Sequence, residues 1–207
     1  MKRLMIYSKR KLPFVSGGKD IIKQNGVLIM LSTVFVCGLI TGISLYFGAD
    51  RERELISLFT ERLISKDPLP YFATELLLNF IILAIIMISG VGAAGFPFIA
   101  AMPFVKGLLN GILSAFLIGS FSTKGFGYYA LMIVPGGALY VSAMLFLCEY
   151  CFSVSGKVFK CTFTENREGV NGARLLAVYG IALAAAILSC AVSLLFRLIF
   201  GGIFKLF

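Results

Sequence analysis

The stretch Gly90-Val-Gly-Ala-Ala-Gly-Phe-Pro97 holds the only turn chemistry in a run of 30 residues, Leu76 to Val105, that carries no charge. Counted on through Lys106 to Thr123, the apolar region reaches 48 residues. A single helix of that length is about 72 Å long, more than twice the ~30 Å hydrocarbon core of a bilayer. The chain must therefore fold back. Glycines that free the backbone, followed by a proline suited to the first turn of a new helix, mark the place. One helix is expected over residues 73–91 and the next over 97–121.

Composition agrees with a bilayer as the solvent. Hydrophobic residues make up 59% of the 207 residues and charged residues 14%, and the uncharged runs are long enough to span rather than to fill a globular core. Val27 to Phe47 gives a first span of 21 uncharged residues, so a helix over 26–47 crosses once. The tail before it, residues 1–25, carries Lys2, Arg3, Lys9, Arg10, Lys11, Lys19 and Lys23. It resembles the basic end of a signal peptide, but the apolar run is too long for one and no Ala-x-Ala-like site closes it, so an uncleaved signal anchor is expected. The net charge of +9 is explained by this tail and the positive-inside rule, and nucleic acid is not expected as a partner.

Residues 48–72 form the long polar segment between the first two spans. On a 100° wheel Leu55, Ile56, Phe59 and Leu63 fall on one side, while Arg53, Glu54 and Glu61 fall away from it. That pattern predicts a short amphipathic extracytoplasmic helix closed by Pro68 and Pro70. After the third span, Ser122-Thr-Lys-Gly-Phe-Gly127 makes a turn, and a fourth helix is expected over 128–152. Pro135-Gly136-Gly137 should kink or break that helix, because the proline lacks an N–H. A polar cytoplasmic loop over 153–172 and a last span over 175–197 complete the chain. The expected fold is thus an all-α integral membrane protein of about five transmembrane helices, one helix hairpin being interrupted by Pro and Gly, in a single polytopic domain over 1–207. With the N-terminus cytoplasmic, eleven basic residues lie inside and seven outside, leaving Lys106 within a helix.

Histidine is absent, which removes the commonest general base, the commonest metal ligand and every Ser-His or Cys-His nucleophile pair. No catalytic residue, metal or cofactor is expected. The five cysteines are odd in number, and Cys148-x-x-Cys151 ends an apolar helix without a second pair, so both read as small buried thiols.

The polar groups inside the spans are the candidate site. A lysine at a helix centre costs roughly 2.5 to 3.5 kcal/mol on insertion scales, which about eight apolar neighbours offset. Lys106 could snorkel because Pro103 breaks the helix below it, pair inside the bundle, or line a polar path. Glu75 is its natural charge partner in sequence, but it is expected at the outer end of the second helix, too far for a direct pair. Asn79 and Asn110 are candidates for interhelical hydrogen bonds. Gly38-x-x-x-Gly42 and Gly107-x-x-x-Gly111 permit close helix approach. The interrupted helices at Pro103 and Pro135 also suit a transporter's midplane site, so a small-solute transporter or channel-like protein stands as the alternative, beside an assembly subunit of another membrane complex.

The order Gly95-Phe-Pro97, an apolar run, Phe104-Val-Lys-Gly107, Phe116-Leu117, the turn Lys124-Gly-Phe-Gly127 and then Val134-Pro135 resembles the stage II sporulation protein M family over about residues 20 to 150. The last helix is similar only as a hydrophobic span. The resemblance implies a polytopic cell-membrane protein without its own catalysis, acting when the mother-cell membrane engulfs the forespore. It further implies a scaffold that anchors and localises stage II sporulation proteins D and P, which act on peptidoglycan outside the membrane. Lys106 and Pro135, at matching positions, are then structural or partner-facing. Some members carry a polar side chain directly after the proline of the fourth helix, where this chain has Gly136. Besides the lipid bilayer and those partners, homo-oligomerisation stays open.

Overall fold

The computed structural model describes residues 26–48, 68–92, 94–163 and 172–200. Among them there is no strand, and everything apart from the turn at residues 92–95 is helical. Helix α1 (Gly26–Gly48), α2 (Pro68–Val91), α3 (Phe96–Tyr128), a π-helical turn (Tyr129–Ile133), α4 (Val134–Phe163) and α5 (Gly172–Phe200) follow in order. The expected amphipathic segment lies, from residue 49 to 67, outside the described residues; its end at Pro68 and Pro70 is corrected, because these prolines stand in the first turn of α2, which begins at Pro68 and not at residue 73.

Four helical stretches are long and apolar enough to cross a membrane: Gly26–Gly48, Phe72–Val91, Phe96–Phe159 and Gly172–Phe200. The third has 64 residues, and a straight helix of that length would measure about 96 Å, three times a hydrocarbon core. It is not straight. Ser122 interrupts it with φ 50° and ψ −126°, at the first residue of the turn expected from the sequence. The chain reverses there: the Lys106 Nζ sits 4.7 Å from the centroid of the Tyr140 ring, although those residues would stand about 50 Å apart on one straight helix.

The turn between α2 and α3 is where the glycines and Pro97 place it. The Gly92 N–H donates to the Ser89 carbonyl, that of Gly95 to the Gly92 carbonyl, and that of Ile99 to the Gly95 carbonyl at 3.0 Å, which starts α3. A Cβ at Gly95 would run into the Ser89 carbonyl, so only glycine lets the chain double back this tightly.

Helices consecutive in the chain alternate in direction. Gly38 lies against Phe104 and Gly42 against Leu108, so α1 and α3 run parallel. Asn79 meets Tyr140 and Gly92 meets Ser155, so α2 and α4 do too. Gly136 meets Ser189, and Tyr150 meets Arg174, so α5 runs back along α4. Two packed clusters fill the bundle. One lies toward the 92–95 turn around Leu31, Leu83, Ile86, Ile99, Met144 and Leu147. The other lies toward the Ser122 turn around Tyr46, Phe116, Leu117, Tyr128 and Met132. The outer surface is apolar as well, with Ile88 74% and Ile181 70% exposed. In water such faces would be an aggregation hazard, whereas in lipid they meet their own kind.

Two further elements differ from the sequence expectation. First, of the kink or break expected at Pro135, the chain makes a local π-helical distortion just before the proline and stays helical. The Val134 N–H reaches back five residues to the Tyr129 carbonyl, and this widened turn makes room for the proline ring without ending the helical run. Second, α4 does not stop at residue 152 but runs to Phe163, so the start of the expected loop at Ser153 is helix. The extension is anchored rather than free. The Ser155 hydroxyl donates to the Gly92 carbonyl at 2.8 Å, and Phe96 meets Phe152 edge to face at 4.6 Å between ring centroids.

Ser122 is the only non-glycine residue with positive φ among those described. A side chain held there costs on the order of 1 to 3 kcal/mol. Ser122→Gly is therefore expected to stabilise the protein by about 1 kcal/mol, net of the entropy that glycine adds to the unfolded chain. Thermal unfolding of the two purified proteins checks this, and a lower midpoint for Ser122→Gly would mean that the serine side chain earns its place through contacts.

Candidate functional site

The lysine that broke the apolar run has a partner inside the bundle. The Lys106 Nζ donates to the Asn79 Oδ1 at 2.9 Å, and its ammonium stands over the ring of Tyr140. Asn79 is fully buried on α2 and spends its other polar atoms as well. Its Nδ2 donates to the Cys190 Sγ of α5 at 3.7 Å, and its backbone carbonyl accepts from the Tyr140 hydroxyl of α4 at 3.2 Å. One residue from each of α2, α3, α4 and α5 therefore meets at one point.

Local folding explains how each arrives there. Pro103 does not break α3, which is continuous through it, so the condition for snorkelling is not met and Lys106 stays at mid-helix. Pro103, Gly107 and Gly111, at intervals of four, are buried on the face turned to α1. Lys106 projects from a different face, toward α2 and α4. Asn79 and Tyr140 come level because α2 and α4 run parallel. Burial in a low dielectric works against the ammonium, and its contacts offset part of that cost. An ammonium there is stabilised by a charge-assisted hydrogen bond and by the negative face of an aromatic ring, worth about 2 kcal/mol when water is excluded. Those two terms are of the same order as the ~2.5 to 3.5 kcal/mol insertion cost.

The remaining candidates divide. Glu75 lies one turn before Asn79 on α2 and attracts the Lys106 ammonium electrostatically, while the direct contact is made by Asn79. Asn110 is half-buried one turn beyond Lys106, and its side chain makes no hydrogen bond among the described residues. Gly107 and Gly111 sit in the seam with α1 and not in the polar cluster. Pro135 follows the π-turn, and the Gly136 carbonyl next to it accepts from the Ser189 hydroxyl of α5 at 2.6 Å. The hydroxyl beside this position thus comes from the opposite helix, α5. Cys148, Cys151 and Cys190 are buried and free, and Cys37 is exposed and free.

Sequence reasoning missed Tyr140 and the partnership of Cys190. A tyrosine in mid-span, away from the interfacial belt where tyrosines collect, was the available signal for the first. Ser189 and Ser193, four apart on the last helix, were the signal for a polar face on α5.

The family described as Stage II sporulation protein M matches residues 27–203, which covers α1 through α5 and so includes the last helix. No curated protein and no solved structure matches the chain significantly.

Proposed function

The chain belongs to the stage II sporulation protein M family and is a sporulation-related membrane protein, and from that premise we propose that it is a non-enzymatic scaffold of endospore engulfment. It crosses the cell membrane five times from a cytoplasmic N-terminus. Its outward parts, namely the segment after α1 and the turn at Ser122 to Gly127, hold partners that degrade peptidoglycan, of the kind represented by stage II sporulation proteins D and P.

The observation that carries this reading is the use of Lys106. Its ammonium is spent on Asn79 and on Tyr140, both inside the bundle, and the residues around it tie four helices together. That is the construction of a fixed anchor, in which the polar group sets which helices meet and in what register. The basic tail supports the orientation, since it stands directly before α1.

One experiment tests orientation and partnership together. In intact sporulating cells, Lys124→Cys, two residues past the reversal at Ser122, is expected to react with a membrane-impermeant maleimide that carries a photocrosslinker. Illumination is then expected to capture a peptidoglycan-degrading protein. Labelling without any such capture, repeated from a site in the segment after α1, removes the scaffold reading. Lack of labelling until the membrane is opened reverses the orientation.

A further inference from the structure

α2 closes one side of the α4 and α5 pair, where Asn79 bonds the Tyr140 hydroxyl of α4 and the Cys190 thiol of α5. On the side of α4 turned away from Tyr140 stand Leu139, Ser142, Phe146, Glu149 and Ser153, in steps of three and four. Four of them are exposed and Glu149 is half-buried. Lipid suits Leu139 and Phe146, but it does not suit a carboxylate. No described residue offers Glu149 a hydrogen bond or an ion pair.

Depth sharpens the conflict. Ser155 is level with the α2 to α3 turn through its bond to Gly92, and Glu149 lies six residues, about 9 Å, further toward the membrane centre. A carboxylate on a membrane helix at that depth faces a cation rather than lipid tails. Arg174 supplies a cation at the same level. It is exposed on α5, and its guanidinium stands over the ring of Tyr150, the residue after Glu149, at 5.9 Å from the centroid. The ring covers one face of a group whose five N–H donors lie in its plane. The two charges flank the stripe on opposite edges. Arg174 is on the α5 edge, whereas Glu149 falls about 140° around α4 from Gly136, which meets α5.

We propose that the chain pairs with a second copy of itself in the membrane through this stripe of α4, the Glu149 carboxylate of each copy taking the Arg174 guanidinium of the other. A two-fold axis along the membrane normal keeps every residue at its level and exchanges the two edges of the stripe, so both charge pairs form at once. Leu139 and Phe146 pack along the seam, and their three-and-four spacing is that of two helices crossing at a shallow angle. Ser142 has given its hydroxyl to the Ala138 carbonyl at 2.8 Å, so it acts as a small residue that lets the helices approach at mid-span. The pairing needs no peptidoglycan-degrading partner and stands or falls independently of the scaffold reading.

Energy transfer between full chains carrying a donor or an acceptor at the N-terminus, in phosphatidylcholine vesicles of falling protein density, tests this. Wild type is expected to transfer well beyond random proximity. Glu149→Arg alone and Arg174→Glu alone each leave like charges facing across the seam. Either is expected to weaken self-association at least about tenfold, since losing one charge-assisted hydrogen bond corresponds to about 10- to 100-fold in affinity. Glu149→Gln serves if the arginine variant does not fold, with a loss of the same order expected. Mixing donor chains that carry Glu149→Arg with acceptor chains that carry Arg174→Glu restores both opposite-charge pairs between copies, and transfer near the wild-type level is expected. Wild type that transfers no more than random proximity overturns the proposal. So does a folded single variant that transfers like wild type, which leaves Glu149 to the basic tail or to another protein. Recovery when both substitutions share one chain, but not in the mixture, puts the pair within a chain and overturns it too.

Discussion

Asn79→Leu is expected to destabilise the protein by about 2 to 3 kcal/mol, more than the loss of one hydrogen bond between membrane helices, which averages well under 1 to 2 kcal/mol. The reason is what remains. Leucine cannot accept from the Lys106 Nζ, so an ammonium that cannot snorkel from mid-helix loses its one direct hydrogen bond and keeps the Tyr140 ring and the longer-range attraction of Glu75, and a charge left poorly compensated inside low dielectric costs more than a missing neutral bond. The same substitution strips the Cys190 thiol of its contact with the Asn79 amide, a minor loss.

Lys106→Met should behave differently despite touching the same bond. It removes the charge together with its insertion cost of roughly 2.5 to 3.5 kcal/mol, and leaves the Asn79 Oδ1 without its donor and Glu75 without a nearby positive charge, so a net loss of about 1 kcal/mol is expected. Combining the two substitutions should then recover most of what Asn79→Leu lost, a strongly non-additive cycle. Tyr140→Phe keeps the ring under the ammonium and loses only the hydroxyl bonded to the Asn79 carbonyl, at about 1 kcal/mol or less. Reversible denaturation in mixed micelles measures all four variants. If Asn79→Leu and Lys106→Met cost the same and simply add in the double variant, the two residues are not coupled and the cross-brace is wrong.

What the sequence could and could not disclose follows from where each constraint acts. The reversal after Val91 was legible because it is local: chain length against bilayer thickness demanded a turn, and Gly90 to Pro97 was the only place with the backbone freedom to make one. The Ser122 turn was legible for the same reason. The partner of Lys106 was not. Glu75 and Asn79 both lie on α2, one turn apart, and choosing between them requires the register of α2 against α3, which side-chain packing sets along the whole length of the pair. Pro135 marked a place of distortion, but the form of that distortion was not legible, because a π-turn is announced by no single residue type. Ser153 to Phe163 read as loop from its serines and lysines, yet the Ser155 bond to Gly92 and the packing of Phe152 on Phe96 carry the helix onward, and both are contacts with residues some sixty positions earlier.

The largest loss is expected where nothing polar is involved. Along the seam of α1 with α3, four glycines face the opposing backbone: a Cβ on Gly38 would collide with the Phe104 carbonyl, one on Gly42 with that of Leu108, one on Gly107 with that of Phe35 and one on Gly111 with that of Leu39. A Cβ on Gly42 would fall 3.1 Å from the Gly111 Cα, and one on Gly111 would fall 3.1 Å from the Gly42 Cα, so the two helices touch through main chain on both sides. Lipid offers no hydrophobic drive to hold helices together. Close packing and weak Cα–H to carbonyl contacts carry the association, and both fade steeply with separation. Because the obstacle to a side chain is rigid backbone, the helices must part over several turns rather than adjust one rotamer. Gly107→Ile and Gly38→Ile are expected to cost about 3 kcal/mol or more, and Gly107→Ala and Gly38→Ala about 2 kcal/mol, at or above the usual range for overpacked cores. Gly136→Ala, where the nearest obstacle is the Ser193 hydroxyl backed by the Ser189 carbonyl, should fall between these and Gly180→Ala. An added Cβ at Gly180 meets nothing within 4 Å, so that variant should be neutral or slightly stabilised, as alanine usually is over glycine in a helix. Unfolding midpoints in one detergent and the amount of each variant in the membrane rank the series. A seam alanine as stable as Gly180→Ala would mean that α1 does not approach α3 through its glycines, and the parallel placement of those two helices would lose its physical basis.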